Sequence, residues 1–142
     1  SFDYYMEGIT PSIARMAEKV DAERIALAKK LGIDVASTAQ SIINGYGSHG
    51  ENLYEVIQTT QAYVGIQSPS SLAHRFCHED TFGSLVGFAT LAKELDVPTP
   101  GMDAIITCIS MATGIDYFTV GRTAQKVGLT GKSVEEIYEM IR

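Results

Sequence analysis

The sequence predicts an all-α fold, a helical bundle of about seven helices in one domain spanning residues 1–142. Three observations carry this. Apolar residues recur every three or four positions in segment after segment, no stretch alternates with period two for long, and the breaks carry helix caps and stops rather than hairpin turns. No internal repeat is visible.

Thr10-Pro11 opens the first helix, with a hydroxyl cap followed by proline at the first helical position. Ile13, Met16, Ala17, Val20, Leu27, Ala28 and Leu31 keep helical spacing, and Gly32 stops it. Arg24 falls where an apolar residue is expected. Either its stem packs while its head reaches a carboxylate, or it is a buried cation that orders the domain or an interface. A second, weaker helix covers residues 35–44. Gly45-Tyr46-Gly47-Ser48-His49-Gly50 is a literal G-x-G-x-x-G, but a dinucleotide fingerprint needs a preceding strand and an acid about 20 residues on. Both are missing, so it reads as a glycine-rich helix connection.

A third helix is expected from Asn52 to about Tyr63, ended by the turn at Gln67-Ser68-Pro69-Ser70-Ser71. Another starts near Gly83 and carries Leu85, Phe88, Ala89, Ala92 and Leu95. Pro98-Thr99-Pro100 is a stop and restart with Thr99 as cap. The helix over residues 101–113 is apolar almost all round and belongs in the core. Its polar residues Asp103, Thr107 and Ser110 share a stripe that is a thin solvent face, a set of back-bonded hydroxyls or the lining of a cleft. A short helix over residues 116–126 ends at Gly128. Ser133-Val134-Glu135-Glu136 is a capping box that opens the last one.

Hydrophobic content of 45% and charged content of 20% describe an ordinary globular chain. A net charge of −6 argues against nucleic acid and anionic membrane as partners. Cys77 and Cys108 are the only cysteines, which points to a reducing, cytoplasmic setting. No run of about 18 apolar residues is present. The opening Ser1-Phe2-Asp3-Tyr4-Tyr5-Met6 has neither an initiator Met nor a signal pattern, and reads as a chain entered partway through a longer protein.

Reactive chemistry concentrates in His74-Arg75-Phe76-Cys77-His78-Glu79-Asp80. As a metal site, His74 and His78 share a helix face with Cys77 nearby, but structural zinc wants four ligands. As an acid–base site, Asp80 can orient a histidine and Arg75 can grip a carboxylate with its planar fork. Alternatively, Arg75 and Asp80 simply pair across a turn.

Phe2-Asp3-Tyr4-Tyr5-Met6-Glu7-Gly8-Ile9-Thr10, Asp21-Ala22-Glu23-Arg24, Ser70-Ser71-Leu72-Ala73-His74-Arg75-Phe76 with Glu79-Asp80, Val97-Pro98-Thr99-Pro100-Gly101-Met102-Asp103 and Gly121-Arg122-Thr123 occur in this order. Together they resemble the octopine/nopaline (opine) dehydrogenase family over nearly the whole chain. The resemblance implies the family's C-terminal helical, substrate-binding domain, similar to those of 6-phosphogluconate, glycerol-3-phosphate and ketopantoate dehydrogenases. It implies an N-terminal Rossmann domain, absent from this chain, that binds NAD or NADP. The implied reaction is reductive condensation of an α-keto acid with the amine of an amino acid. Arg75 then holds substrate and Asp80 orients the acid–base histidine. His74, which adjoins Arg75, and Asp103, on the polar stripe of residues 101–113, are candidate substrate contacts from their positions alone. That histidine is expected just upstream of Phe2, so these 142 residues alone should be inactive. The competing reading is a free-standing helical interaction module, and a homodimer fits either.

Overall fold

The computed structural model describes all of residues 1–142. Thr10 and Pro11 start the longest helix as the sequence predicts, the Thr10 hydroxyl accepting from Ile13 N–H at 3.3 Å. This helix, α1 (Pro11–Lys30), has 20 residues and is about 30 Å long. It passes all three apolar clusters of the molecule. Ala14 joins Ile42, Leu53, Val56 and Ile57. Val20 packs on Val86, Ala89, Met102, Ile106 and Tyr117. Leu27 joins Ala92, Leu95 and Ile137.

The acidic side chains of α1 close the N-termini of three other helices. Glu18 accepts from Leu53 N–H at 2.8 Å and so caps α3 (Leu53–Gln58). Asp21 accepts from Thr38 N–H at 2.7 Å and from the Thr38 hydroxyl at 2.9 Å, capping α2 (Thr38–Tyr46). Glu23 accepts from Gly101 N–H at 2.6 Å and Met102 N–H at 2.9 Å, capping α6 (Pro100–Thr113). First-turn N–H groups lack helical partners and attract negative charge, so a carboxylate suits each end. Arg24 holds this arrangement: its Nε donates to Asp21 at 2.8 Å and its Nη2 to the Ala36 carbonyl at 2.7 Å. It reaches a carboxylate, as the first of its two readings had it. Burial alone pushes the Asp21 carboxyl up. The bonds from Thr38 N–H, Arg24 and the Thr38 hydroxyl, with the charge of Arg24, outweigh it and hold the group below its ordinary value.

Three expected helices change length. The second begins at Thr38 behind a Ser37 cap that accepts from Gln40 N–H at 3.1 Å. The third stops at Gln58. The Thr59 hydroxyl turns to the His49 carbonyl at 2.6 Å and the Thr60 hydroxyl to Val56 at 2.7 Å, before a 3-10 turn at Gln61–Tyr63. The helix expected over residues 116–126 is only α7 (Tyr117–Val120). Gly121 ends it by passing over the core: a Cβ there would sit 2.8 Å from Val86 Cγ1 and 2.6 Å from the Tyr117 carbonyl. Thr99 occupies the cap position of α6 but its hydroxyl makes no cap bond, because Glu23 already holds the amides. Nor is α6 buried all round. Met102 and Ile106 face the core, while Ala104, Cys108 and Met111 are exposed. The glycine loop joins α2 to α3, with Gly47 closing α2 at φ 68° and no strand before it.

The central rod is continuous from α4 (Arg75–Glu79) through a π turn (Asp80–Leu85) into α5 (Val86–Glu94). Eight α-helical segments therefore make seven separate helices, the last being α8 (Val134–Met140) with its predicted capping box between Ser133 and Glu136. Extended pairing is limited to one bridge, Asp3 with Gln67. No helix is long and apolar enough to cross a membrane.

Candidate functional site

The N-terminal hook is built around Asp3. Its carboxylate accepts from Met6 N–H at 3.1 Å and Gly65 N–H at 2.7 Å, and these bonds hold its pKa below the usual value. Tyr4 N–H donates to the Ile66 carbonyl at 2.7 Å, which fixes the hook against residues 66–68. Tyr4 thereby meets α4, and Tyr5 packs behind it against the first apolar cluster. Tyr4 meets Tyr5 edge-on at 4.9 Å and Phe76 at 6.0 Å, while Tyr5 stacks on Tyr63 at 4.1 Å. Tyr63 in turn meets Tyr46 of α2, so a chain of rings supports the site from behind.

Tyr4, Tyr5, Arg75, Phe76, Glu79 and Asp80 line one cavity of about 220 Å³. The helix contributes two i,i+4 pairs, Arg75 with Glu79 and Phe76 with Asp80, covering an arc of about 140° at 100° per residue. Arg75 and Asp80 stand at the edges of that arc, too far round to pair as one reading had it. Arg75 pairs instead with Glu79, Nε to Oε2 at 3.8 Å, and lies over the Phe76 ring at 5.8 Å. The pair is loose and exposed, at 69% and 65% side-chain exposure, so it adds little stability and leaves the guanidinium fork open to a carboxylate. Burial pushes the Tyr4 phenol up, and negative charge on Tyr5, Cys77 and Asp80 pushes it the same way. Tyr5 is raised by burial and by Tyr46 and Asp80. Both hydroxyls therefore stay protonated and can donate to an anion in the cavity.

His74 is the cap of α4. Its Nδ1 accepts from Phe76 N–H at 3.2 Å, which places the ring proton on Nε2, and its ring meets Phe76 edge-on at 4.6 Å. His78 lies on the far side of α4, its Nδ1 2.9 Å from the Tyr117 hydroxyl and its ring stacked on Phe82. The two imidazoles thus have separate partners, and His74, Cys77 and His78 are not assembled as a ligand set. No group of three or more His, Cys, Asp or Glu side chains could hold a metal ion. Cys77 and Cys108 are both free.

Asp103 is not brought to this cavity. It lines a larger one of about 950 Å³, with Lys93, Thr99, Thr123 and Lys126, which shares no lining residue with the first. Burial and the nearby charge of Glu23 raise its carboxyl, against the pull of Lys93 and Thr99. The rest of its stripe serves other ends. The Thr107 hydroxyl back-bonds to the Asp103 carbonyl at 2.8 Å, and Ser110 accepts from Tyr117 N–H at 3.3 Å. Tyr4, Tyr5, Phe76 and Glu79 also line the cavity, and sequence reasoning gave them no role. The tyrosines lay inside a quoted motif, but nothing local to residue 4 says that it meets residue 80.

The helical domain thus gathers an open guanidinium, two carboxylates and two phenols around one small cavity. The chain belongs to the octopine/nopaline dehydrogenase family: residues 1–113 match the model of the NAD/NADP octopine/nopaline dehydrogenase alpha-helical domain. It is 43% identical over 130 residues to an opine dehydrogenase of Arthrobacter sp. (strain 1C), covering 92% of this chain and 36% of that protein. It is 25% identical over 134 residues to protein ocs of Agrobacterium tumefaciens (strain Ach5), covering 94% and 37%. A solved structure of octopine dehydrogenase with NADH and L-arginine shares the fold, with a TM-score of 0.75 at 20% identity over 93% of this chain and 40% of that one. The chain thus spans well under half the length of the relatives it matches.

Proposed function

We propose that this chain is the substrate-binding domain of an NAD(P)-dependent, opine dehydrogenase-like oxidoreductase that condenses an α-keto acid with the amine of an amino acid. The observation that carries the reading is the shared cavity of Arg75 and Asp80, in a chain of this family. Arg75 grips a substrate carboxylate in its fork, with the Tyr4 and Tyr5 hydroxyls as further donors. Asp80 orients an acid–base histidine and stabilises its cationic form. His74 holds the first turn of α4, and so the approach to Arg75, in place.

In this reading the Gly45–Gly50 loop is a helix connection and not a nicotinamide nucleotide cradle. Gly47 is spent on closing α2, and Gly50 lies against the backbone of α3. The proposal therefore assigns NAD or NADP, and the acid–base histidine, to a Rossmann domain and linker outside this segment. The two free cysteines fit the cytoplasm.

The test is kinetic, in the full-length polypeptide. Arg75→Ala should raise KM for the keto acid or the amino acid at least tenfold, and Asp80→Asn should lower kcat by a similar factor. Wild-type kcat/KM in both variants would remove the reading.

A further inference from the structure

The geometry points to His78 as a positioning residue for the Arg75–Asp80 face, acting through the Tyr117 hydroxyl. This rests on the proposed substrate role of that face and adds a component to it. Helix α4 is five residues long and buries none of them, so neither intrinsic helicity nor core packing fixes its rotation. The only side-chain hydrogen bond from α4 to a distant element is His78 Nδ1 to Tyr117, at 2.9 Å. Tyr117 is 1% exposed and packs with Val86, Ala89, Met102 and Ile106, the most deeply buried of the three apolar clusters. His78 lies about 160° around α4 from Asp80, on the side away from the cavity. It is placed to set the helix's rotation without touching a ligand.

The neighbouring π turn explains why such a tether is needed. Val86 N–H bonds to the Thr81 carbonyl, five residues back, so the rod changes phase immediately after Asp80. Such a slip frees a carbonyl, and the Phe82 carbonyl accepts from Arg122 N–H at 2.9 Å. The buried Thr81 hydroxyl closes the junction on the Cys77 carbonyl at 2.6 Å. The phase of α5 is thus locked by its packed face, whereas α4, beyond the slip, has no buried face of its own and is tied to the core through the Thr81–Cys77 bond at its end and the His78–Tyr117 bond on its side.

Three variants of the full-length polypeptide test this. His78→Phe keeps the ring on Phe82 but loses the bond, and Tyr117→Phe removes the hydroxyl without enlarging the core. His78→Asn sets an amide where Nδ1 stood. We expect each Phe variant to lower kcat/KM about tenfold, the loss divided between KM and kcat according to whether Arg75 or Asp80 is displaced. The pH–rate profile should also move, because Asp80 would no longer face the group it tunes. The double Phe variant should be no worse than either alone, since both remove one bond. His78→Asn should recover most of the activity. Phe variants within twofold of wild type, losses that multiply, or an unchanged pH profile with reduced thermal stability would each overturn the proposal. Arg75→Ala in the same assay separates the two ideas. If it is inactive while the Phe variants are normal, the tether fails alone; if it is unaffected, the substrate reading fails.

Discussion

Replacing Glu23 by alanine should destabilise the domain more than any change at Thr99, although Thr99 occupies the cap position of α6. The Glu23 carboxylate takes two N–H bonds, 2.6 Å from Gly101 and 2.9 Å from Met102, at a half-buried site. Hydrogen bonds to a charged group contribute about 1.5–3 kcal/mol each, and loss of an ordinary cap costs about 0.5–2 kcal/mol. The two bonds share one side chain and part of the site is wet, so about 2–4 kcal/mol is expected for Glu23→Ala. Glu23→Gln keeps one acceptor and no charge, and should cost about half as much. Thr99→Val, which removes only the hydroxyl, should cost less than about 1 kcal/mol, since that hydroxyl makes no cap bond. Urea unfolding followed by far-UV circular dichroism reads these as midpoint shifts at constant m-value. If Glu23→Ala lay within about 0.5 kcal/mol of wild type, or Thr99→Val cost more than it, the long-range cap would be wrong.

Two further outcomes follow from packing and charge. Gly121→Ala should destabilise by about 1–3 kcal/mol in the same assay, because its Cβ would press on Val86 and the Tyr117 carbonyl. Asp21 has a folded pKa below its ordinary 3.8, so its contribution is complete above that value and is lost as pH falls through the lowered one. Asp21→Asn should therefore be clearly less stable than wild type at pH 7, with the gap narrowing as unfolding is repeated at successively lower pH across the acid range.

How much was legible in the sequence depended on range. Thr10-Pro11 and the Ser133–Glu136 capping box declare themselves because cap and helix lie within four residues, and both were found as expected. The caps from α1 could not be read that way. Asp21 and Thr38 are 17 residues apart, and Glu23 and Gly101 are 78 apart, so Thr99 looked like the obvious cap. Gly121 was read as the inside of a helix because its collision with Val86 is tertiary. The π turn over residues 80–85 was equally hidden, since the stretch from Gly83 reads as an ordinary helix start. At the site, Arg75 and Asp80 were named through family resemblance. Their placement beside Tyr4 and Tyr5 depends on the Asp3 hook, a contact spanning 62 residues from Asp3 to Gly65.

The three acidic caps also bear on the order in which the chain can assemble. Helices of nine and six residues, the lengths of α2 and α3, do not persist alone in water, and each needs its first amides answered before it gains a face to bury. Ser37 and Asn52 answer one amide each, and the first amide of each helix is answered by a carboxylate of the one long helix, which acts as the jig for the parts it holds. Residues of α1 should accordingly carry the high φ-values of the domain, with α2, α3 and α6 condensing on it rather than nucleating separately. Three small cores distributed along one template would then unfold together, a single cooperative transition in place of three independent meltings.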